Sequence, residues 1–189
     1  MRFKLLVTLV LLIISACNSE RWGKVVIDTA LVKDAHYRNL LDKKIEYEYN
    51  FAKQKPDTLR GSSGVDYKVI GDAHQNKFST LYKCKSYFSG DTLKINIGIG
   101  NGHAGNGFII SYLNNRFYTA PYLYSLTVNG VEDSASEYRI VHQSLILDRL
   151  NYQIGDSIWG KIKFKSIETN IDKKEIEHIG EGYFRAKIN

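Results

Sequence analysis

The stretch Ser157-Ile158-Trp159-Gly160-Lys161-Ile162-Lys163-Phe164-Lys165-Ser166 alternates without a break. Ile158, Gly160, Ile162 and Phe164 fall on one side of an extended chain, and Trp159, Lys161, Lys163 and Lys165 fall on the other. Side chains of a strand point to opposite faces in turn, so this period of two marks a strand with one face in a core. The same pattern closes the chain, where Phe184, Ala186 and Ile188 oppose Tyr183, Arg185 and Lys187. It recurs in Leu93, Ile95, Ile97 and Ile99, and again where Ile45, Tyr47, Tyr49 and Phe51 oppose Glu46, Glu48 and Asn50. Further strands are expected over residues 65–70, 77–84, 107–113, 122–128 and 138–147, divided by Gly71-Asp72, Ser89-Gly90-Asp91 and Asn129-Gly130. Residues 28–41 could hold one short helix capped by Asp28 or Thr29. The reading is a mainly β chain, arranged as an antiparallel β-sandwich.

Two short segments carry resemblances. Tyr152-Gln153-Ile154-Gly155-Asp156, just before the decisive strand, resembles the Tyr-x-x-Gly-Asp turn of many immunoglobulin-like secreted sandwiches. That likeness implies an immunoglobulin-like fold and no activity. At the other end, Arg2 and Lys4 precede an apolar run from Leu5 to Ile14, about half the roughly 20 residues a spanning helix needs. Ile14, Ser15, Ala16 and Cys17 follow directly and resemble the lipobox of bacterial lipoproteins. The resemblance implies cleavage by signal peptidase II before Cys17, with lipid on that cysteine. Each buried methylene is worth about 0.8 kcal/mol, so several acyl chains would hold the domain to a bilayer. Asn18, where some species use Asp to retain a lipoprotein at the inner membrane, favours the outer membrane.

The expected organisation is therefore a signal peptide over residues 1–16, a lipidated tether over 17–26 and a single β-domain over 27–189. Removing the leader leaves 173 residues, with 24 basic against 20 acidic side chains. A net charge near +4 in an envelope protein argues against nucleic acid as a partner. With Cys17 lipidated, Cys84 has no cysteine with which to form an intramolecular disulfide, and reads as a core strand residue.

Motifs that would carry chemistry fall short. Gly100-Asn101-Gly102-His103-Ala104-Gly105 spells GxGxxG, but β-formers follow where a dinucleotide site needs a helix, so it reads as a loop between strands. His36, His74, His103, His142 and His178 are scattered, and no metal site or cofactor is expected. Gly61-Ser62-Ser63-Gly64 lacks the spacing of a nucleophile elbow. Glu46 and Glu48 share the polar side of a strand, without an identifiable opposing group.

Two surfaces remain. Pairing of the last two strands would put Trp159, Lys161, Lys163, Lys165, Tyr183, Arg185 and Lys187 on one face, fit for an anionic surface or a protein partner, or simply solvated. Tyr112, Phe117, Tyr118, Tyr122 and Tyr124, around Asn114-Asn115-Arg116, could form a sugar-stacking platform or alternate between core and surface. The expected function is that of a membrane-anchored, non-catalytic binding or structural module of the envelope, with a protein partner. A glycan-binding accessory is the alternative, and a hydrolase built around His103 or His142 stands behind both.

Overall fold

The structure is a computed structural model and describes residues 22–35, 49–50, 55–56, 62–71, 82–100, 104–125, 137–169 and 173–189. The leader and lipobox, most of the strand expected over 44–51 and the Asn129-Gly130 turn lie outside these residues. The chain is mainly β. Its strands are β1 (Gly23–Ile27), β2 (Tyr49–Asn50), β3 (Lys55–Pro56), β4 (Ser62–Ile70), β5 (Lys83–Ser89) and β6 (Thr92–Gly100). They continue as β7 (Ala104–Leu113), β8 (Arg116–Ser125), β9 (Glu137–Leu147), β10 (Ser157–Thr169) and β11 (Glu175–Lys187). β2 and β3 pair with each other, and the other nine form one sheet in the order β4-β11-β10-β9-β1-β8-β7-β6-β5.

The decisive stretch, β10, lies inside this sheet between β11 and β9. Over β10, Ile158, Gly160, Ile162, Phe164 and Ser166 are buried, and β11 buries His178, Gly180, Phe184 and Ala186 in the matching phase, which Ile188 continues just beyond it. The two strands pair antiparallel over their full lengths, from Ser157↔Lys187 to Thr169↔Glu175. The sheet curls until its ends nearly meet. Just past β11, Ile188 bridges Ser86 of β5, Asn189 N donates to Ser86 O at 3.0 Å, and Ser86 Oγ donates to Lys187 O at 3.2 Å. The inward faces share one apolar core, with ring contacts crossing it: Phe108 of β7 lies 4.7 Å from Phe164 of β10 and 5.3 Å from Tyr67 of β4.

Several expectations are corrected. The tether does not reach residue 26, because Gly23–Ile27 is an interior strand, antiparallel to β8 and parallel to β9. Val25 and Ile27 pack on the core while Val26 faces out, a pattern too short to stand out from the preceding polar residues. The parallel pairing with β9 is the one departure from an antiparallel arrangement among the described ladders. β8 starts at Arg116, before the expected residue 122, because Asn114 (φ 49°) and Asn115 (φ 63°) make a two-residue hairpin turn with both residues left-handed. Among the described residues β1 pairs only as far as Phe117, and no described ladder bonds that edge of β8 at Pro121, a position that suits proline. The expected helix is, in its described part, a 3₁₀ turn over Thr29–Lys33, with Asp28 Oδ1 accepting from Ala30 N at 2.9 Å.

Two glycines in the β10–β11 hairpin are fixed by their neighbours. Phe184 lies across from Gly160 and Phe164 across from Gly180. A Cβ at Gly160 would come within 2.1 Å of Phe184 Cζ, and one at Gly180 within 2.4 Å of Phe164 Cε1. Both rings are wholly buried and cannot swing aside. Gly180→Ala should therefore cost about 2 kcal/mol in urea unfolding through overpacking. A loss within experimental error would show that the ring has room to move.

Candidate functional site

At one end of the barrel, three structured turns enclose a cleft of about 580 Å³. The first is Gly90-Asp91 between β5 and β6, and the second is Asn114-Asn115 between β7 and β8. The third, residues 148–156, links β9 to β10 and contains the Tyr-x-x-Gly-Asp segment. Its backbone is tied down: Gly155 (φ 93°) donates to Ile188 O at 2.8 Å, Ile188 N donates to Asp156 O at 2.9 Å, and Asp156 Oδ2 accepts from Gln153 N at 2.9 Å. The φ of Gly155 lies in the region that favours glycine, which accounts for that residue in the turn.

The anchor of this corner is Asp148, which is 4% exposed. Its Oδ1 accepts from Tyr152 O–H at 2.7 Å and from Trp159 N at 3.0 Å, while Oδ2 accepts from Arg149 Nε at 2.9 Å. The Arg149 guanidinium also lies 5.7 Å from the centre of the Tyr152 ring. Tyr112 donates its hydroxyl to Leu150 O at 2.5 Å and lies edge-on to Tyr152, with centroids 6.3 Å apart and planes at 83°. Burial pushes the Tyr112 and Tyr152 phenols above their ordinary values, and the Asp148 carboxylate adds to the shift at Tyr152. The floor of the cleft is thus apolar and aromatic: Leu93, Phe88, Tyr112 and Tyr152. Its exposed rim carries Asp91, Asn114, Asn115 and Asn151.

The aromatic set expected to form one platform is divided between faces. Tyr112 and Phe117 pair across β7 and β8 and are buried in the core. Tyr118 and Tyr122 point to the other side, where Tyr118 lies 6.3 Å from the Trp22 ring and Tyr122 donates to Asn96 Oδ1 at 2.9 Å. The side chain of Tyr124 lies outside the described residues. Alternation along β8 separates these rings, so Tyr112 alone of the set reaches the cleft.

The basic face forms with the expected register, Trp159↔Arg185 and Lys161↔Tyr183, but its charges and rings are engaged. Lys163 pairs with Glu181 and Lys165 with Glu177, each at 2.8 Å. Arg185 lies 5.0 Å from the Trp159 ring and Lys161 lies 5.1 Å from the Tyr183 ring. Leu31 of the 3₁₀ turn packs on Trp159, Tyr183 and Ile146, covering part of the face. Lys187 is exposed beside it. Charges of both signs therefore alternate along this outer wall.

A buried polar chain at β4, β10 and β11 was not foreseen. His178 Nε2 lies 2.8 Å from Glu168 Oε2, and His178 Nδ1 lies 2.7 Å from the Tyr67 hydroxyl. An ionised carboxylate only accepts, so Glu168 takes the Nε2 proton and Nδ1 accepts from Tyr67. The Tyr138 hydroxyl also bonds Glu168; burial, then Glu168, push its pKa up to about 12. Ser166 stands opposite His178 in the ladder with its hydroxyl buried. Both imidazole nitrogens are already engaged, so the set does not form a serine relay. Burial raises the Tyr67 pKa and disfavours a phenolate nucleophile.

His103 lies outside the described residues, and His142 is exposed on β9. Gly100 and Gly105 pair across β6 and β7, placing the GxGxxG segment in a hairpin. Burial raises the Cys84 thiol pKa, and the side chain is 1% exposed. Among the described residues no group of three or more His, Cys, Asp or Glu could hold a metal ion, and no helix is long and apolar enough to cross a membrane. Comparison of the chain with protein-family models, curated proteins and solved structures finds no match.

Proposed function

We propose that the chain is a lipid-anchored lipoprotein of the cell envelope, favouring the outer membrane, whose β-domain is a non-catalytic binding module working through the cleft between its turns. The observation that carries the binding role is this cleft: ligand-sized, apolar at its floor and polar at its rim, on turns held by the ladder and by Asp148. The address rests on the leader and on Ile14-Ser15-Ala16-Cys17. Lys24 pairs with Arg116 beside the Asn114-Asn115 turn and Gly23 with Phe117 one step from it, so β1 runs towards the cleft end of the sheet. Five peptide steps separate Cys17 from Trp22, a reach of at most about 18 Å.

For the finer architecture we read the two halves of the sheet, β5 to β8 and β9 to β4, as layers of a flattened, immunoglobulin-like sandwich joined through β1. The cross-core contacts of Phe108 with Phe164 and Tyr67 support that reading.

The test is made in cells. Labelled fatty acid should enter the wild type and be lost in Cys17→Ser, which should also leave the membrane fraction; persistent labelling would overturn the anchor. In the anchored protein, a photo-crosslinking residue at position 151 should give a specific adduct that one at position 181, on the outer wall, does not. No difference between the two would overturn the binding role of the cleft.

A further inference from the structure

Resting on the reading of the cleft as a binding site, we infer that its ligand is a neutral saccharide, held as a stretch of two or three sugar units. The volume, about 580 Å³, falls within the roughly 300–1,000 Å³ of small-ligand sites. Its chemistry is more selective than its size. A pyranose presents apolar C–H faces and a belt of hydroxyls that both donate and accept. The floor offers the first kind of partner, an apolar corner where Tyr112 and Tyr152 meet at 83°, extended by Phe88. The rim offers the second.

Asn114 and Asn151 each bring a carboxamide with an acceptor oxygen and two donor hydrogens, and Asn115, whose Oδ1 accepts from the Tyr112 hydroxyl at 3.2 Å, adds its amide hydrogens, the mixed set that vicinal hydroxyls need. Asp91 adds a carboxylate acceptor, as hydroxyl-rich ligands can use. Among the described residues that line the cleft there is no Lys, Arg or His, and Arg149, behind the Tyr152 ring, is held by Asp148 and Asp156, so phosphate, sulfate or uronate groups would meet the Asp91 carboxylate first. The aromatic floor also excludes a purely ionic ligand.

The site is preorganised. The phenol hydrogens are already committed, Tyr112 to Leu150 O and Tyr152 to Asp148, so the rings are fixed in place, with Tyr112 buried behind the half-buried Tyr152 and Phe88 that present carbon surface. The rim sits on the two-residue Asn114-Asn115 hairpin turn and on the tied corner, which lowers the ordering cost of binding.

The experiment uses the mature lipidated protein in nanodiscs and saturation-transfer NMR with maltotriose, xylotriose and tri-N-acetylchitotriose. Trigalacturonic acid and trialanine serve as acidic and peptide comparisons. At least one neutral trisaccharide should show transfer from aromatic protons to ring C–H groups, with affinity reduced about tenfold in Asn114→Gly and Asn151→Ala. Glycine keeps the left-handed backbone at position 114, so that variant removes the carboxamide and not the turn. Leu150→Trp, which fills the cleft, should abolish the signal. Binding by none of the neutral sugars, preference for the uronate or the peptide, or affinity untouched by all three variants would each overturn the saccharide. A protein adduct from position 151 together with silent sugars would overturn it while leaving the binding-module reading intact. Silence in both would remove the two together.

Discussion

Asp148→Ala should lower the unfolding free energy by about 3–4 kcal/mol, since it strips partners from buried donors at the corner where β9 ends and β10 begins. Asp148 continues the β9–β10 ladder with its side chain. Its own N–H donates to Trp159 O at 3.1 Å, and Trp159 N donates back to Asp148 Oδ1. Truncation leaves the Trp159 amide and the Tyr152 hydroxyl without their acceptor, at about 1–3 kcal/mol each where water cannot replace it. Arg149 contributes less, because its side chain is 44% exposed and can rehydrate. For a domain of this size the fall in Tm should be roughly 10 °C. Tyr152→Phe removes one of the three bonds and should cost about 1 kcal/mol. In the double variant the two losses should not add, since both break the same contact. A loss below about 1 kcal/mol for Asp148→Ala would show that the corner is held by backbone contacts alone. Because Leu150, Asn151 and Tyr152 wall the cleft, the same variant should also weaken ligand binding.

The strands were legible wherever a period of two ran unbroken, and the unforeseen polar chain could have been reached by carrying that period further. Counting back from Ile188, Ala186 and Phe184 in twos reaches Gly180 and His178; counting on from Phe164 reaches Ser166 and Glu168. Every one of these but Glu168 is buried, and Glu168 turns in far enough to meet His178. The apolar residues alone carry the visible pattern, and His178 stands in the sequence as one of five scattered histidines. Tyr138 was hidden for a different reason. A bulge between Lys165 and Ser166 in the β9–β10 register leaves Val141 without an opposing residue, which changes the phase of β9. Tyr138 and Ile140 then turn inward with Gln143, Leu145 and Leu147, although no single alternation links them. The cleft was the least legible feature, since it needs three turns far apart in sequence. Asn114-Asn115 lacks glycine, the usual mark of its turn, and read as a loop between aromatics. The Tyr-x-x-Gly-Asp segment was visible, but its tie to Ile188 depends on how the sheet curls.

Alkaline pH should unfold this protein steeply, because its core is built partly from phenols. Tyr67 is 1% exposed and bonded to His178, while Tyr82 is fully buried and donates to Asn106 Oδ1 at 3.0 Å. The two rings meet edge to face with centroids 5.5 Å apart, in contact with the Phe108–Phe164 pair through Tyr67. Burial raises both pKa values well above the ordinary 10, and a phenolate at either place would face its neighbour and, for Tyr67, Glu168 as well. Below pH 10 the folded and unfolded chains both hold these protons, and the groups exert no pH dependence. Above it the unfolded chain releases them while the folded chain cannot, so the folded state binds more protons and stability falls as pH rises. Each such group removes about 1.4 kcal/mol per pH unit, so the pair alone removes about 3 kcal/mol per unit above pH 10, with Tyr138 and Tyr152 adding smaller amounts. Tyrosinate absorbance followed alongside circular dichroism should separate the buried phenols from the rest. The buried ones should then ionise in one cooperative step that coincides with loss of the β signal. Tyr67→Phe should make that step shallower by one proton. Ionisation of all the tyrosines with the β signal intact would mean that the core admits phenolate, and would overturn the assignment of Tyr67 and Tyr82 to a dry interior.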